Sequence, residues 1–410
     1  MRPMARTALA PEDLRGSPNP LAGDYGRFRV GERLLLSGHS HQAWPDVARD
    51  GQLEAFEDAA REVDDKWGRA FAKADELRAA VGALLGDPGA PVALGQNTHE
   101  LVLRFLSALD LRARPRLVTT DGEFHTLRRQ LARLGEAGLD VVLVPAQPAA
   151  TLAERLVAAA DERTAAVLVS AVLYETARIV PGLGDLAAAC AAGGSELLVD
   201  AYHLVGPRQV DLGALGLEGA WVVGGGYKYL QLGEGNCWLR LPPQAADMRP
   251  VLTGWYAEFD ALAAEHVPGA PVPYGAGASR FAGSTYDPTS HYRAVRVLRF
   301  FSERGLTPAL LEASYRHQVA LLAAEVDALG LPDAVLTRDR DAPSDACAGF
   351  LALESPHARE LQRALAEQGV STDSRGRRLR LGPAPYLSDD QLREAVARLR
   401  HVAAEFVTRL

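Results

Sequence analysis

The chain has 410 residues, of which 48% are hydrophobic and 23% are charged, as in ordinary globular proteins rather than disordered or fibrous ones. This length predicts one large and one smaller domain. The formal net charge of -8 argues against a nucleic-acid or anionic-membrane partner, because both need a basic face.

The chain begins with an N-terminal arm, residues 1–30, which is rich in proline and glycine and is predicted to be irregular. A short strand is predicted at residues 33–36, and the loop that follows it carries His39 and His41. Two histidines at i and i+2 suggest a metal site, but no third ligand follows at a useful spacing. We therefore expect no metal here, and we interpret this loop as facing a substrate or capping a helix.

Residues 46–85 have helical hydrophobic periodicity, with a break predicted near Trp67. A strand at residues 92–94 and a helix at residues 101–109 flank a glycine turn that contains Asn97 and Thr98. Unpaired N–H groups at a helix N-terminus bind anions, so this turn is a candidate anion site. The alternative is that Thr98 is simply a helix N-cap.

A regular alternation of strands and helices follows this turn. Five repetitions of the pattern predict an α/β fold with a mainly parallel sheet between helices. Strands are predicted at residues 116–120, 140–145, 164–170, 197–200 and 220–223, and helices at residues 124–135, 151–160 and 184–192.

Two polar groups follow the last two of these strands. Asp200 ends one strand, and Lys228 comes after three glycines that end the next. Ligands bind at the carboxyl ends of strands in open α/β sheets, so a carboxylate and an amine placed there could contact one small molecule. Pyridoxal 5′-phosphate (PLP) needs a carboxylate on its ring nitrogen and a lysine on its aldehyde. The alternative is a capping aspartate and a surface lysine.

The rest of the chain predicts a small α+β domain. Helices are expected at residues 290–304, 308–329, 356–368 and 388–409, with strands at 349–353 and 378–381. The run Gly224-Gly225-Gly226 lacks the spacing of a dinucleotide fingerprint, so a dehydrogenase is not expected.

The motifs DxxH at Asp200 and GGGYKYL around Lys228 resemble the cofactor-lysine region of the class V aminotransferase family, and within it the kynureninases. The resemblance runs from about residue 90 to the C-terminus. It implies the fold type I PLP-enzyme architecture: an arm at 1–30, a large PLP-binding domain at 31–285 and a small C-terminal domain at 286–410. The first part of 31–85 is expected to pack with the small domain.

The same resemblance implies roles for individual residues. Lys228 would carry PLP as a Schiff base, Asp200 would bind its ring nitrogen, and His203 and Tyr227 would complete the catalytic group. Asn97, Thr98, Ser170 and Trp255 would also bind the cofactor.

For two further residues, the resemblance implies contacts other than those with the cofactor of the same subunit. Arg380 would bind the substrate α-carboxylate through two parallel N–H donors. Thr285 would reach the phosphate in a neighbouring subunit, which implies a homodimer with shared sites.

The sequence departs from the family in two places. Thr120 stands where the family has a ring-stacking aromatic residue, so Phe124 or His125 is expected to stack instead. The loop at 38–42, with His39 and His41, replaces the usual substrate-side pattern, which leaves the identity of the amino-acid substrate open.

The expected function is therefore PLP-dependent, kynureninase-like hydrolysis of the Cβ–Cγ bond of L-kynurenine or a related γ-keto amino acid. The alternative is another class V enzyme, an aminotransferase or a β-lyase of desulfurase type. A desulfurase needs a mobile cysteine, whereas Cys237 lies within a predicted strand and Cys347 precedes one. With Cys190, the three cysteines show no disulfide or zinc pattern, and a reducing cytoplasm is expected. No signal peptide or membrane span is expected.

Overall fold

The computed structural model describes residues 9–261 and 269–408. Part of the predicted arm (1–8), part of the predicted large domain (262–268) and the end of the last predicted helix (409) lie outside the described residues. The α-helices are α1 (Val47–Glu62), α2 (Trp67–Leu84), α3 (Thr98–Ala108), α4 (His125–Glu136), α5 (Leu152–Ala159), α6 (Leu183–Ala192), α7 (Thr289–Glu303), α8 (Pro308–Asp327), α9 (Ala358–Glu367) and α10 (Asp389–Val407). The strands are β1 (Leu34–Leu35), β2 (Val92–Gly95), β3 (Arg116–Thr120), β4 (Asp140–Val144), β5 (Thr164–Ser170), β6 (Glu196–Asp200), β7 (Trp221–Gly225), β8 (Cys237–Arg240), β9 (Leu351–Glu354), β10 (Val370–Ser371), β11 (Asp373–Arg375) and β12 (Arg378–Leu381).

A seven-stranded sheet forms the centre of the fold, with the strand order β2-β8-β7-β6-β5-β3-β4. Its pairings are parallel except those of β8, which is antiparallel to both neighbours. The connection from β7 to β8 has no helix and is too short for a parallel crossover, so β8 has to run back. Every residue of β5 is buried, as expected for a strand covered on both faces. The predicted α/β fold with a mainly parallel sheet is confirmed.

The C-terminal part contains a smaller antiparallel sheet in the order β11-β12-β9. The N-terminal strand β1 joins this part of the molecule, because Leu34 and Leu35 pair in parallel with Val370 and Ser371 of β10. In the described residues, no helix is long and apolar enough to cross a membrane.

The N-terminal segment differs from the predicted irregular arm. Its described part contains three short 3-10 helices, Asp13–Arg15, Ala22–Phe28 and Val30–Glu32. Leu21 and Tyr25 are fully buried, and the Tyr25 hydroxyl donates a hydrogen bond to Gln231. Burial of these apolar side chains orders a segment whose prolines and glycines carry no periodic pattern.

Two helix boundaries also differ from the sequence prediction. The break between α1 and α2 covers residues 63–66, where Val63 ends α1 with a φ of 48°, and Trp67 begins α2. Trp67 packs against Phe71 with ring centroids 5.7 Å apart, which favours its place inside the helix. The helix α3 begins at Thr98 rather than at residue 101, because Asn97 is its N-cap. The interpretation of Thr98 as the N-cap is therefore wrong.

Candidate active site

The carboxyl ends of three adjacent parallel strands meet at one edge of the central sheet. Ser170 ends β5, Asp200 ends β6, and the turn after β7 carries Lys228. All three residues line a cavity of about 280 Å³. Local sequence produces this arrangement, because each apolar strand is buried in the sheet and the polar residue after it is left at the edge.

Lys228 is a buried amine with few polar contacts. Its Nζ lies 2.8 Å from Nε2 of His203 and 4.7 Å from the ring centroid of Tyr202. Burial lowers the pKa of Lys228 to about 8, although the Asp200 carboxylate acts in the opposite direction. Roughly a tenth of the amines are therefore neutral at pH 7, far more than for an exposed lysine.

His203 is held in its neutral form beside this amine. Burial, and then the charge of Lys228, lowers the pKa of His203 well below its usual value. Its Nδ1 lies 3.2 Å from the Tyr229 hydroxyl. If Nδ1 carries the proton and donates to Tyr229, Nε2 is free to accept from Lys228, which fixes the position of the amine.

Asp200 presents one carboxylate oxygen to the cavity. Its Oδ1 accepts a hydrogen bond from the backbone N–H of Tyr202 at 2.9 Å. In the part of the chain that the structure describes, Oδ2 has no hydrogen-bond partner. Burial raises the pKa of Asp200, while Lys228 lowers it. A cationic ring nitrogen would satisfy both the free oxygen and the buried negative charge.

The N-terminus of α3 and the turn that carries Tyr227 also line the cavity. Asn97 and Thr98 belong to this helix N-terminus, and the Asn97 side chain accepts a hydrogen bond from Glu100 N–H. Burial raises the pKa of Tyr227 to about 12, so its hydroxyl stays neutral. The ring of exposed His41 stacks on Tyr227 at 4.8 Å. A helix N-terminus and a neutral hydroxyl are suited to an anion such as a phosphate.

The structure distinguishes the two predicted ring-stacking residues. Phe124 lines the cavity and lies 5.3 Å from the Lys228 amine, whereas His125 borders a different surface depression. Thr120, at the family's aromatic position, turns its hydroxyl to Glu123 and lies outside the cavity. Of the two predicted stacking residues, only Phe124 lines the cavity, and its stacking on a cofactor ring stays a prediction.

Arg380 and His39 lie near this cavity but do not line it. Arg380 is 3% exposed; it donates a hydrogen bond to the Tyr174 carbonyl at 2.6 Å and pairs with Asp373. His39 lies 3.6 Å from the same aspartate, and its ring stacks on Phe350. Two of the three predicted substrate residues thus form one buried polar cluster with Asp373, which sequence reasoning missed, whereas His41 lies outside it.

Trp255 and Thr285 form a separate pair. The Trp255 indole N–H donates to the Thr285 hydroxyl at 3.2 Å, and neither residue lines the cavity around Lys228. Their predicted contact with a phosphate, in the same or a neighbouring subunit, stays a prediction.

Sequence reasoning also missed Glu123. This carboxyl is 1% exposed and accepts hydrogen bonds from Ser170 Oγ at 2.5 Å and Thr120 Oγ1 at 2.7 Å. Its position immediately before the predicted stacking residue Phe124 was the only signal in the sequence.

Comparison with known proteins gives a likeness at the level of the fold. No protein-family model and no curated protein matches the chain. Among solved structures, a variant of C-DES with glycine covalently linked to its PLP cofactor superposes with a TM-score of 0.81 at 16% identity, over 93% of this chain and 99% of that one. A cysteine desulfurase from Thermococcus onnurineus gives 0.76 at 18% identity, over 98% and 100% of the two chains.

A third similar structure is the cysteine desulfurase CsdA from Escherichia coli, with a TM-score of 0.74 at 16% identity over 98% of this chain and 100% of that one. The chain has the fold of these enzymes. A second similar structure of C-DES shows this cystine C-S lyase in complex with its reaction product, cysteine persulfide. The fold type I architecture expected from the sequence is therefore confirmed.

Proposed function

We propose that the chain is a PLP-dependent enzyme that acts on an amino acid and cleaves a bond in its side chain, as a lyase of the class V type. The observation that supports this most strongly is that a buried amine, Lys228, and a buried carboxylate, Asp200, lie at adjacent strand ends and line one cavity, with one Asp200 oxygen lacking a hydrogen-bond partner in the described part of the chain. These residues fit PLP, because the cofactor offers an aldehyde to the one and a ring nitrogen to the other.

Each residue of the site has a role in this proposal. Bound PLP supplies an electron sink for the carbanion that deprotonation at Cα creates. Lys228 would hold the aldehyde of the cofactor, and its free amine would take the Cα proton of the substrate at Nζ. Asp200 would hold the proton on the ring nitrogen, Phe124 would cover the ring face, and the N-terminus of α3 with Tyr227 would hold the phosphate.

The cysteines favour a lyase without a protein thiol over a desulfurase that transfers sulfur to one. Cys237 lines the cavity, but burial raises the pKa of its thiol to about 12. Cys190 is buried in α6, and burial also raises the pKa of Cys347. Protonated thiols are poor nucleophiles, so elimination from the substrate alone is the better supported reaction.

Kynureninase-type hydrolysis of a Cβ–Cγ bond is the second candidate. The aromatic character of the cavity favours it, because Tyr174, Tyr202 and Tyr227 join Phe124 in its lining. Such walls suit an aryl side chain. The water that this reaction consumes would add to the γ-carbonyl and release alanine and an aromatic acid.

The test of the proposed function is incubation of the PLP-loaded protein with L-cystine, L-cysteine and L-kynurenine in parallel. Elimination from cystine is expected to release pyruvate, ammonia and cysteine persulfide, whereas hydrolysis of kynurenine would release alanine and anthranilate. The Lys228→Ala protein is the negative control. A protein that binds PLP but whose visible spectrum responds to no amino acid would contradict the proposal.

Arg380→Lys is expected to weaken amino-acid binding by about tenfold or more and PLP binding by less than about twofold. The reason is that lysine cannot offer the two parallel donors of a guanidinium to an α-carboxylate. Spectral titration with amino acid and with PLP measures both affinities. Arg375→Lys is the matched control, because Arg375 also pairs with Asp373 but is half exposed. Equal losses for both ligands would contradict the role of Arg380.

We also propose that the protein is a cytoplasmic homodimer. The three free cysteines suit a reducing compartment. The Trp255–Thr285 pair lies outside its own cavity, which suits a contact with the phosphate bound by a second copy.

A further inference from the structure

Glu123 connects the ends of two strands beside the Lys228 cavity. Its Oε1 accepts a hydrogen bond from the Thr120 hydroxyl at 2.7 Å and from the Ser170 backbone N–H at 3.1 Å. The Thr120 oxygen in turn accepts from Gly122 N–H at 3.1 Å, so its hydroxyl hydrogen is directed to Glu123. One oxygen of this carboxyl therefore has a fixed role as an acceptor.

Among the described residues, the other oxygen of Glu123 has a single hydrogen-bond partner. Its Oε2 lies 2.5 Å from Ser170 Oγ, a short distance typical of a hydrogen bond that involves a charged group. Ser170 also lines the cavity. The Ser170 hydroxyl thus links Glu123 to the cavity, since it contacts the carboxyl and belongs to a residue of the lining.

The proton on Glu123 decides what Ser170 offers to that ligand. A carboxylate can only accept, so with ionised Glu123 the Ser170 hydroxyl donates to Oε2 and turns its lone pairs to the cavity. A protonated Glu123 donates from Oε2 to Ser170 Oγ, and the Ser170 hydrogen is then free to donate into the cavity.

We infer that Glu123 is a positioning residue that sets, through Ser170, whether this wall of the cavity donates or accepts a hydrogen bond toward the cofactor that would bind there. This inference rests on the proposed function, because it needs PLP in the cavity. It assigns to Glu123 no contact with substrate or cofactor. It also gives a reason for burying a carboxyl group between two hydroxyl groups.

Both protonation states are accessible near neutral pH. Burial raises the pKa of Glu123 to about 7, while hydrogen bonds from Ser170 and Thr120 oppose this rise. Asp200, at the end of β6, raises this pKa further by its negative charge, whereas the groups of β3 and β5 that hydrogen-bond the carboxyl are the neutral Thr120 and Ser170 hydroxyls and the Ser170 N–H. Below pH 7 Ser170 is expected to donate into the cavity, and above it to accept.

The experiment compares the PLP-loaded wild-type protein with Glu123→Gln by titrating the visible absorbance of the lysine-bound cofactor with pH. The glutamine can keep the Oε1 contacts and donate from Nε2 to Ser170, so it imitates the protonated acid. A permanent donor toward the cofactor would favour its less protonated form, and we expect the midpoint of the titration to fall by about one pH unit.

The same comparison in a Ser170→Ala background distinguishes a relay, in which Glu123 acts through the Ser170 hydroxyl, from a direct effect of the Glu123 charge on the cofactor. Without the hydroxyl, the shift caused by Glu123→Gln is expected to shrink by at least about half, whereas a Ser170→Thr background should retain it. An equal shift in the alanine background would show that Glu123 acts by charge alone and would overturn the inference. The absence of a shift in the wild-type background would overturn it as well.

If Glu123→Gln does not fold, the titration midpoints of Ser170→Ala and Ser170→Thr are compared with that of the wild type instead. A midpoint that Ser170→Ala displaces and Ser170→Thr restores supports the relay, and a midpoint unchanged by Ser170→Ala overturns it. Failure of the proposed function looks different, because the wild-type protein would then form no visible band that depends on Lys228.

Discussion

The Lys228→Ala protein is expected to lose the visible absorbance of lysine-bound PLP and to lose turnover by a factor on the order of 10³. The chain has three lysines, Lys66, Lys73 and Lys228. Lys228 lines the cavity, and its lowered pKa makes it the amine best suited to react with an aldehyde. Borohydride reduction followed by peptide mass spectrometry measures the covalent attachment directly.

Lys73→Ala is the matched control for this experiment. The Lys73 amine pairs with Glu54 at 2.8 Å and does not line the cavity, so its loss should leave the visible band and the reduced adduct in place. A band that persists in Lys228→Ala, or an adduct located on another lysine, would refute the assignment of Lys228.

Asp200→Asn is expected to lower turnover by roughly 10²- to 10³-fold while the protein still binds PLP. The amide keeps the size of the side chain and can still accept from Tyr202 N–H, but it cannot stabilise a protonated ring nitrogen. Steady-state kinetics at saturating PLP, together with the visible spectrum, separate the loss of rate from a loss of cofactor.

Asp121→Asn provides the comparison for this second prediction. Asp121 follows β3 at the same edge of the sheet, but its carboxylate accepts from Ala146 N–H and does not line the cavity. Its replacement should leave turnover within about twofold of the wild type, as for most surface substitutions. If Asp200→Asn were equally harmless, the proposed ring-nitrogen contact would be wrong.

Much of the central sheet and part of its site were predictable from local sequence. Strands buried on both faces are continuous apolar runs, and β5 and β6 are visible as such. Parallel strands place their carboxyl ends at one edge of the sheet. The positions of Asp200 and Lys228 in the sequence therefore predicted that they lie close together. Their roles toward PLP remain proposals until the spectra are measured.

Other features depend on contacts between distant parts of the chain. Glu123 hydrogen-bonds Ser170 across 47 positions of sequence, and β1 pairs with β10 near the other end of the chain. The buried cluster of His39, Asp373 and Arg380 is likewise assembled from both ends. No periodicity or local motif encodes such contacts.

The sequence by itself thus determined the α/β class and the strand-end placement of Asp200 and Lys228, because hydrophobic periodicity and strand direction are local properties. Only the tertiary structure decided that Phe124 rather than His125 borders the cavity, that Arg380 is already paired with Asp373, and that Glu123 supports Ser170. These outcomes depend on side-chain packing and on which buried polar groups find partners, and both are set only when the elements pack together.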